Sequence, residues 1–222
     1  MKTILLTGFE AFGSTPVNPA EQVAMILNGE VVDDYTIVSV VVPNTFFKAI
    51  ECVKQAIAEY QPVVVIMMGE YGGRSMLTVE RLAQNLNDSA RYSLADNDGK
   101  VLQGEFTEEN GPAAYYSNLP VRAMVKAVRD QGIPADISDT PGTNVCNHLM
   151  YGVLHFIHVE QLAIRAGWIH LPHLPSIAAL SENLGAPSMS KETSAQGVKA
   201  AIGAVVMHDD DINESLDSRW QL

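Results

Sequence analysis

Basic residues are scarce: 14 Lys plus Arg stand against 26 Asp plus Glu in 222 residues, a formal charge of −12. That balance repels phosphate backbones and anionic bilayer surfaces, so neither nucleic acid nor a membrane is an expected partner. Cysteine is scarcer still. Cys52 and Cys146 are the only two, too few for a disulfide framework in a chain this long, and free thiols suit a reducing compartment. Long apolar runs are missing as well, since no stretch approaches the ~20 residues of a membrane helix. The opening segment Met1 to Thr7 has too short an apolar run for a signal peptide and leads into a glycine-containing loop rather than a cleavage site. Together these absences point to a cytoplasmic protein.

What remains is core-forming material. The chain is 47% hydrophobic and 18% charged, a composition that folds, and its length suits one α/β domain spanning 1–222. Ile4 to Thr7, Thr36 to Val42 and Pro62 to Met68 are short apolar runs rich in Val and Ile, as in parallel strands covered on both faces. Asn18-Pro19-Ala20-Glu21 places an N-cap, a proline and an acid at the start of a helix. Phe46 to Tyr60 carries an apolar stripe at helical spacing, with Cys52 off its centre. Val79 to Leu86 alternates like a strand, and Arg91 to Thr107 reads as an exposed excursion with a turn at Asp96-Asn97-Asp98-Gly99. Further helices are expected at Pro120 to Asp130, about Cys146 to His155 and Lys191 to Met207, and further strands at Ala135 to Ser138 and Leu162 to Ile169. The acidic run from Asp209 to Asp217 reads as a solvated tail. Alternating strands and helices imply a three-layer α/β/α sandwich with a mostly parallel sheet.

Such sheets bind ligands at the carboxyl ends of their strands, which directs attention to Gly8 to Asn18, Gly69 to Arg74 and Thr140 to Cys146. The glycines there match neither a P-loop nor a dinucleotide fingerprint. Gly142-Thr143-Asn144 resembles a helix entry, leaving Cys146 in the first turn, where unpaired N–H groups and the helix dipole favour a thiolate and can receive an oxyanion. A lone cysteine is more often a small packing residue, so a base is needed. Among six histidines, His170 directly follows an apolar strand and is best placed, with His173 second. His155/His158 and His170/His173 form two His-x-x-His pairs, but no acidic or cysteine ligand at a suitable spacing completes a metal site, and no cofactor is expected. Glu80 is an acid inside an apolar strand. It suits either a carboxylate orienting a histidine or an ion pair with Arg81 or Arg74.

Five motifs in order, over some 170 residues, resemble the pyroglutamyl peptidase I family, the pyrrolidone-carboxylate peptidases. They are Gly8-Phe9-Glu10-Ala11-Phe12-Gly13 with Asn18-Pro19; Gly72-Gly73-Arg74; Val79-Glu80-Arg81-Leu82-Ala83; Gly142 to Gly152 around Cys146; and Ala166 to Pro175 around His170. The resemblance implies a metal-independent, usually oligomeric enzyme (dimer or tetramer) with a phosphorylase/hydrolase-like fold. It also implies a Cys146-His170-Glu80 triad acting on peptides with N-terminal pyroglutamate. It sets Phe9 and Phe12 against the pyrrolidone ring, with Asn18, Glu70, Asn144 and Val145 around the substrate, and gives Arg91 an oxyanion-side role. Two positions depart from the family pattern. Glu70 stands where relatives carry Gln, and Asn144 where they carry Phe or Tyr. Both touch the expected pocket and not the triad, which leaves room for an amidohydrolase acting on another small cyclic or blocked amide. A nucleoside phosphorylase of the same fold would need a phosphate site, and a non-catalytic binding protein would not need the triad.

Overall fold

The computed structural model describes residues 1–218. The chain opens with β1 (Lys2–Phe9), α1 (Pro19–Leu27), the short β2 (Val31–Val32) and β3 (Tyr35–Val42). Then come α2 (Lys48–Tyr60), β4 (Val64–Glu70) and β5 (Leu77–Glu80). Four short strands follow: β6 (Leu82–Gln84), β7 (Asn87–Asp88), β8 (Gln103–Glu105) and β9 (Ala114–Tyr116). The remainder is α3 (Val121–Asp130), β10 (Ala135–Ser138), α4 (Val145–Val159), β11 (Arg165–Leu171), α5 (Pro175–Ala178) and α6 (Lys191–Met207). Among the described residues, no helix is long and apolar enough to cross a membrane.

Seven strands form the central sheet in the order β10-β5-β11-β4-β1-β3-β2. β3, β1, β4 and β11 run parallel. β5 and β10 are parallel to each other, while β5 is antiparallel to β11 and β2 to β3. The sheet is therefore mostly parallel, and its side chains alternate between two apolar layers as a period of two requires. Ile4, Leu6, Val64, Ile66, Met68, Leu77, Val79, Ile169 and Leu171 pack against α1, α3 and α6. Leu5, Phe9, Val65, Met67, Ala166 and Trp168 pack against α2 and α4. Residues of β5 and β11 with even numbers thus share a face with α4, and this parity decides where the polar residues of those strands point.

Element types follow the sequence reading, and the boundaries move in ways that matter. The third buried strand runs to Glu70 rather than Met68, and β11 runs through His170 to Leu171. The expected strand over Val79 to Leu86 breaks at Arg81: β5 belongs to the central sheet, whereas β6 pairs with β9 in a separate ribbon. The excursion from Arg91 to Thr107 is exposed along most of its length, as expected, and is anchored to the body at Asp96, Leu102 and Thr107, which are buried. Asp96 accepts the Phe46 N–H at 2.9 Å while its other oxygen closes the turn by accepting from Asp98 and Lys100. The tail is only partly solvated. Asp209, Asp210, Glu214 and Asp217 are exposed, but Asp211 accepts the Arg122 and Ala123 N–H groups at 3.0 Å. Pro120, at the N-cap of α3, offers no side-chain cap, so a carboxylate 89 residues downstream satisfies the first turn instead.

Asp211→Ala should cost about 1 kcal/mol, as loss of a helix cap does, lowering Tm by roughly 2–4 °C at this chain length. A melting curve that coincides with that of the native chain would remove Asp211 from this role.

Candidate active site

The face parity set by the sheet carries Thr78 and Glu80 of β5 and His170 of β11 to the side of α4. Antiparallel pairing puts Trp168 opposite Glu80 and His170 opposite Thr78, so the imidazole reaches the carboxylate along the diagonal. His170 Nδ1 lies 2.7 Å from Glu80 Oε1, and both residues are fully buried. The same oxygen accepts from Arg74 Nη1 at 2.7 Å, and the buried Arg74 also meets Thr78 and Ser138. Both kinds of partner read from the sequence are therefore in contact with Glu80 at once: a histidine, His170, and an arginine, which is Arg74 and not Arg81. Arg81 instead pairs with Asp139 on the surface.

With Nδ1 donating to Glu80, the opposite ring nitrogen is the one free to act as a base. His170 Nε2 is buried and has no hydrogen-bond partner among the described residues. Burial pulls the imidazole pKa down, Glu80 pushes it up through its hydrogen bond and charge, and Arg74 lowers it; the outcome is a lowered value. The ring is flanked by Trp168 at 5.4 Å and by Tyr71, edge-on at 5.2 Å, and Tyr71 stacks on the Arg74 guanidinium at 3.7 Å.

Cys146 is the second residue of α4. Its seat is cut by Gly69 of β4, directly beside His170 in the sheet. A methyl group on Gly69 would meet Trp168 Cζ2 at 2.7 Å, Cys146 Sγ at 3.0 Å and His170 Cδ2 at 3.5 Å. Thiol and imidazole thus crowd one point that only glycine leaves open. Burial pushes the Cys146 thiol up to about 12, helped by the charges of Glu80 and Glu70 and opposed by Arg74 and by the residue's own N–H. Desolvation thus opposes the thiolate expected at a helix N-terminus. The start of α4 is also uncapped: Asn144 gives no side-chain hydrogen bond there, unlike Asn18 at α1 and Ser190 at α6.

A cavity of about 270 Å³ opens onto Cys146, near the small end of ligand pockets, which span roughly 300–1,000 Å³. Phe9, Phe12, Asn18, Glu70, Asn144 and Val145 all line it. Phe9 is buried against Trp168. The amide of Asn18 is occupied locally, accepting from Ala20 N–H and donating to Glu10 C=O. Asn144 Oδ1 is buried and has no hydrogen-bond partner among the described residues. Glu70 Oε1 is 2.6 Å from His173 Nδ1. Arg91 is not brought here. It sits on the exposed 3-10 turn Ala90–Tyr92 beside a separate surface depression, its guanidinium 5.0 Å from the Tyr92 ring. The cation that does reach the triad is Arg74. Tyr71, Asn44, Tyr92, Leu94 and Ala95 complete the wall, and none was marked by residue type alone.

Among the described residues, no group of three or more His, Cys, Asp and Glu side chains forms a metal site. The His-x-x-His pairs are split among other partners: His155 meets Tyr115, His170 meets Glu80 and His173 meets Glu70. His148, two residues after Cys146, accepts the Phe47 N–H and contacts Thr107, well away from the thiol's role.

The chain is similar to the pyrrolidone-carboxylate peptidase of Mycobacterium tuberculosis strain H37Rv, 57% identical over 222 residues and all of both chains. It is 43% identical to that of Bacillus cereus strain G9842, covering 96% of this chain and 97% of the other. The crystal structure of Bacillus amyloliquefaciens pyroglutamyl peptidase I matches with a TM-score of 0.91 at 39% identity, covering 96% of this chain and all of that one. Pyrrolidone carboxyl peptidase from Thermococcus litoralis matches with a TM-score of 0.91 at 36% identity, covering 97% and all. With a family profile described as pyroglutamyl peptidase matching residues 2–208, this chain belongs to the pyroglutamyl peptidase family.

Proposed function

We propose that the chain hydrolyses the amide bond following an N-terminal pyroglutamyl residue, through Cys146 as nucleophile, His170 as general base and acid, and Glu80 as the residue that orients His170. The observation that carries this reading is that a half-buried Cys146, lining a cavity walled by Phe9 and Phe12, and the buried His170 both crowd one glycine-cut seat.

Since the thiol is raised and the imidazole lowered, the resting pair is neutral. Cys146 Sγ attacks the pyroglutamyl carbonyl carbon as its proton passes to His170 Nε2. The carbonyl oxygen takes the negative charge and is received by the unpaired N–H groups at the uncapped start of α4. Collapse breaks the C–N bond, and His170 returns the proton to the leaving amine. Water, deprotonated by His170, then cleaves the thioester and restores the thiol, releasing 5-oxoproline. Glu80 holds the ring through Nδ1 and stabilises the transient imidazolium. Ring recognition rests on an apolar face buried against Phe9 and Phe12, while a free N-terminal ammonium would have to be desolvated in the same space.

Turnover of a chromogenic pyroglutamyl amide, beside the prolyl and alanyl amides, tests the reading directly. Cys146→Ala should abolish it with an unchanged circular dichroism spectrum. Inactivating label that maps to Cys52 would remove Cys146 from the nucleophile's role.

The neutral resting pair has its own signature. Alkylation of Cys146 by iodoacetamide should keep accelerating with pH beyond 9, and the acid limb of kcat/KM should fall below 6.5, the ordinary imidazole value, because His170 must lose its proton to serve as base. An alkylation rate already level at pH 7 would indicate a thiolate–imidazolium pair instead.

Gly69→Ala should lower kcat/KM by at least about 100-fold with the fold retained, since misplacing a nucleophile by an ångström costs on that order. Activity within a factor of three of native would mean that Sγ does not depend on this seat.

A further inference from the structure

Pyroglutamate and proline present the same five-membered ring to Phe9 and Phe12. Shape and apolar contact therefore separate them poorly. What differs is the ring nitrogen: a neutral lactam N–H beside a carbonyl in one, a charged ammonium in the other. The charged side chain among the residues lining the cavity is Glu70, and an unpaired carboxylate there would favour the wrong ligand, since a carboxylate attracts an ammonium more strongly than a neutral N–H.

Glu70 is not unpaired. Its side chain is almost wholly buried, and Oε1 lies 2.6 Å from His173 Nδ1. That leaves Oε2 for a ligand. The imidazole is held in place from both sides. Past the end of β11, His173 forms a parallel bridge with Ser188, and its carbonyl accepts the Met189 N–H at 2.9 Å. Across from it, Gly72 leaves room for the ring, because a methyl group there would meet His173 Nε2 at 2.5 Å. The seat for this imidazole is thus built by two segments far apart in sequence, in a residue the triad does not use.

Resting on the proposed substrate class, we propose that His173 is a positioning and specificity residue: it engages one oxygen of Glu70 and offsets its charge, so that the pocket accepts a neutral lactam N–H and refuses the ammonium of N-terminal proline. Burial raises the Glu70 pKa and His173 opposes that rise, as expected of a carboxylate dependent on one partner. When the ring is removed, Glu70 is left as a free buried carboxylate, which penalises the lactam and favours the ammonium. When Glu70 is made neutral, His173 has nothing to offset.

The test uses Cys146→Ala chain, so that binding is read without turnover, and calorimetry of pyroglutamyl-alanine amide and prolyl-alanine amide. The parent should bind the pyroglutamyl peptide at least 100-fold more tightly. His173→Phe should reduce that ratio at least tenfold; His173→Asn, which keeps a donor, should hold it within about threefold. Adding Glu70→Gln to His173→Phe should restore the ratio, the non-additivity that marks two residues acting as one unit. An unchanged ratio in a folded His173→Phe protein overturns the proposal, as does a double variant no better than His173→Phe. If the phenylalanine variant does not fold, His173→Ala carries the same comparison. If the parent binds neither peptide, the substrate class itself fails and takes this proposal with it, whereas tight pyroglutamyl binding with an indifferent His173 overturns the proposal alone.

Discussion

A carboxylate with no access to water must find its partners inside the protein, and the active site is arranged around how Glu80 does so. Its Oε1 serves His170 and Arg74 together, each at 2.7 Å. This one oxygen holds the histidine by Nδ1, and among the described residues Nε2 is left without a partner. It also explains why the segment between β4 and β5 must bend back. Arg74 lies in that segment, and only there does it reach the carboxylate, Ser138 beside it and the face of Tyr71. Tyr71 then closes over the edge of His170. The ion pair, the aromatic cover and the orientation of the imidazole are one assembly, and loss of either Glu80 or Arg74 would leave a buried charge behind.

Around this assembly two effects compete for the nucleophile. A helix N-terminus favours a negative charge by about 0.3–1 kcal/mol, and by ~2 kcal/mol in favourable buried sites. Lifting the thiol from 9.0 to about 12 reflects a penalty on the order of 4 kcal/mol, net of that help. Burial wins, and the dipole's contribution moves to a later stage of the reaction, when charge develops on the carbonyl oxygen beside the same N–H groups. The absent cap on α4 fits this division. A side chain satisfying those groups at rest would compete with an oxyanion received there.

Legibility from sequence tracked locality. The three Val- and Ile-rich runs, the Asn18-Pro19 helix start and the entry to α4 are signals contained within a few residues, and each appears where it was read. Cys146, His170 and Glu80 stood out at a helix entry, a strand end and inside an apolar strand, and the fold brings the three together. The break at Arg81 was not, since Val79 to Leu86 keeps strand alternation while the two halves join different sheets. Asp211 looked like one more solvated acid because the N–H groups it satisfies are 88 and 89 residues away. Arg74 and Arg91 could not be ranked from spacing: their positions depend on two turns, and only the first folds onto the triad. The Glu70–His173 pair spans 103 residues, and each partner alone looks unremarkable.

The same long-range geometry unsettles the separation of chemistry from selectivity that the sequence suggested. Glu70 and Asn144, which the sequence reading set apart, both line the pocket and are not among the residues proposed for the chemistry. Yet Glu70 follows Gly69, the residue that seats the thiol, and its charge is one of those raising Cys146. Asn144 occupies the N-cap whose missing side-chain bond leaves the first N–H groups of α4 open. A carboxylate introduced into the wall therefore acts on the nucleophile as well as on the ligand, and a partner that offsets it serves both. In a pocket this small the groups that recognise the ring and the groups that attack it share one electrostatic environment, so a substitution tolerated for specificity must also leave that environment close to neutral.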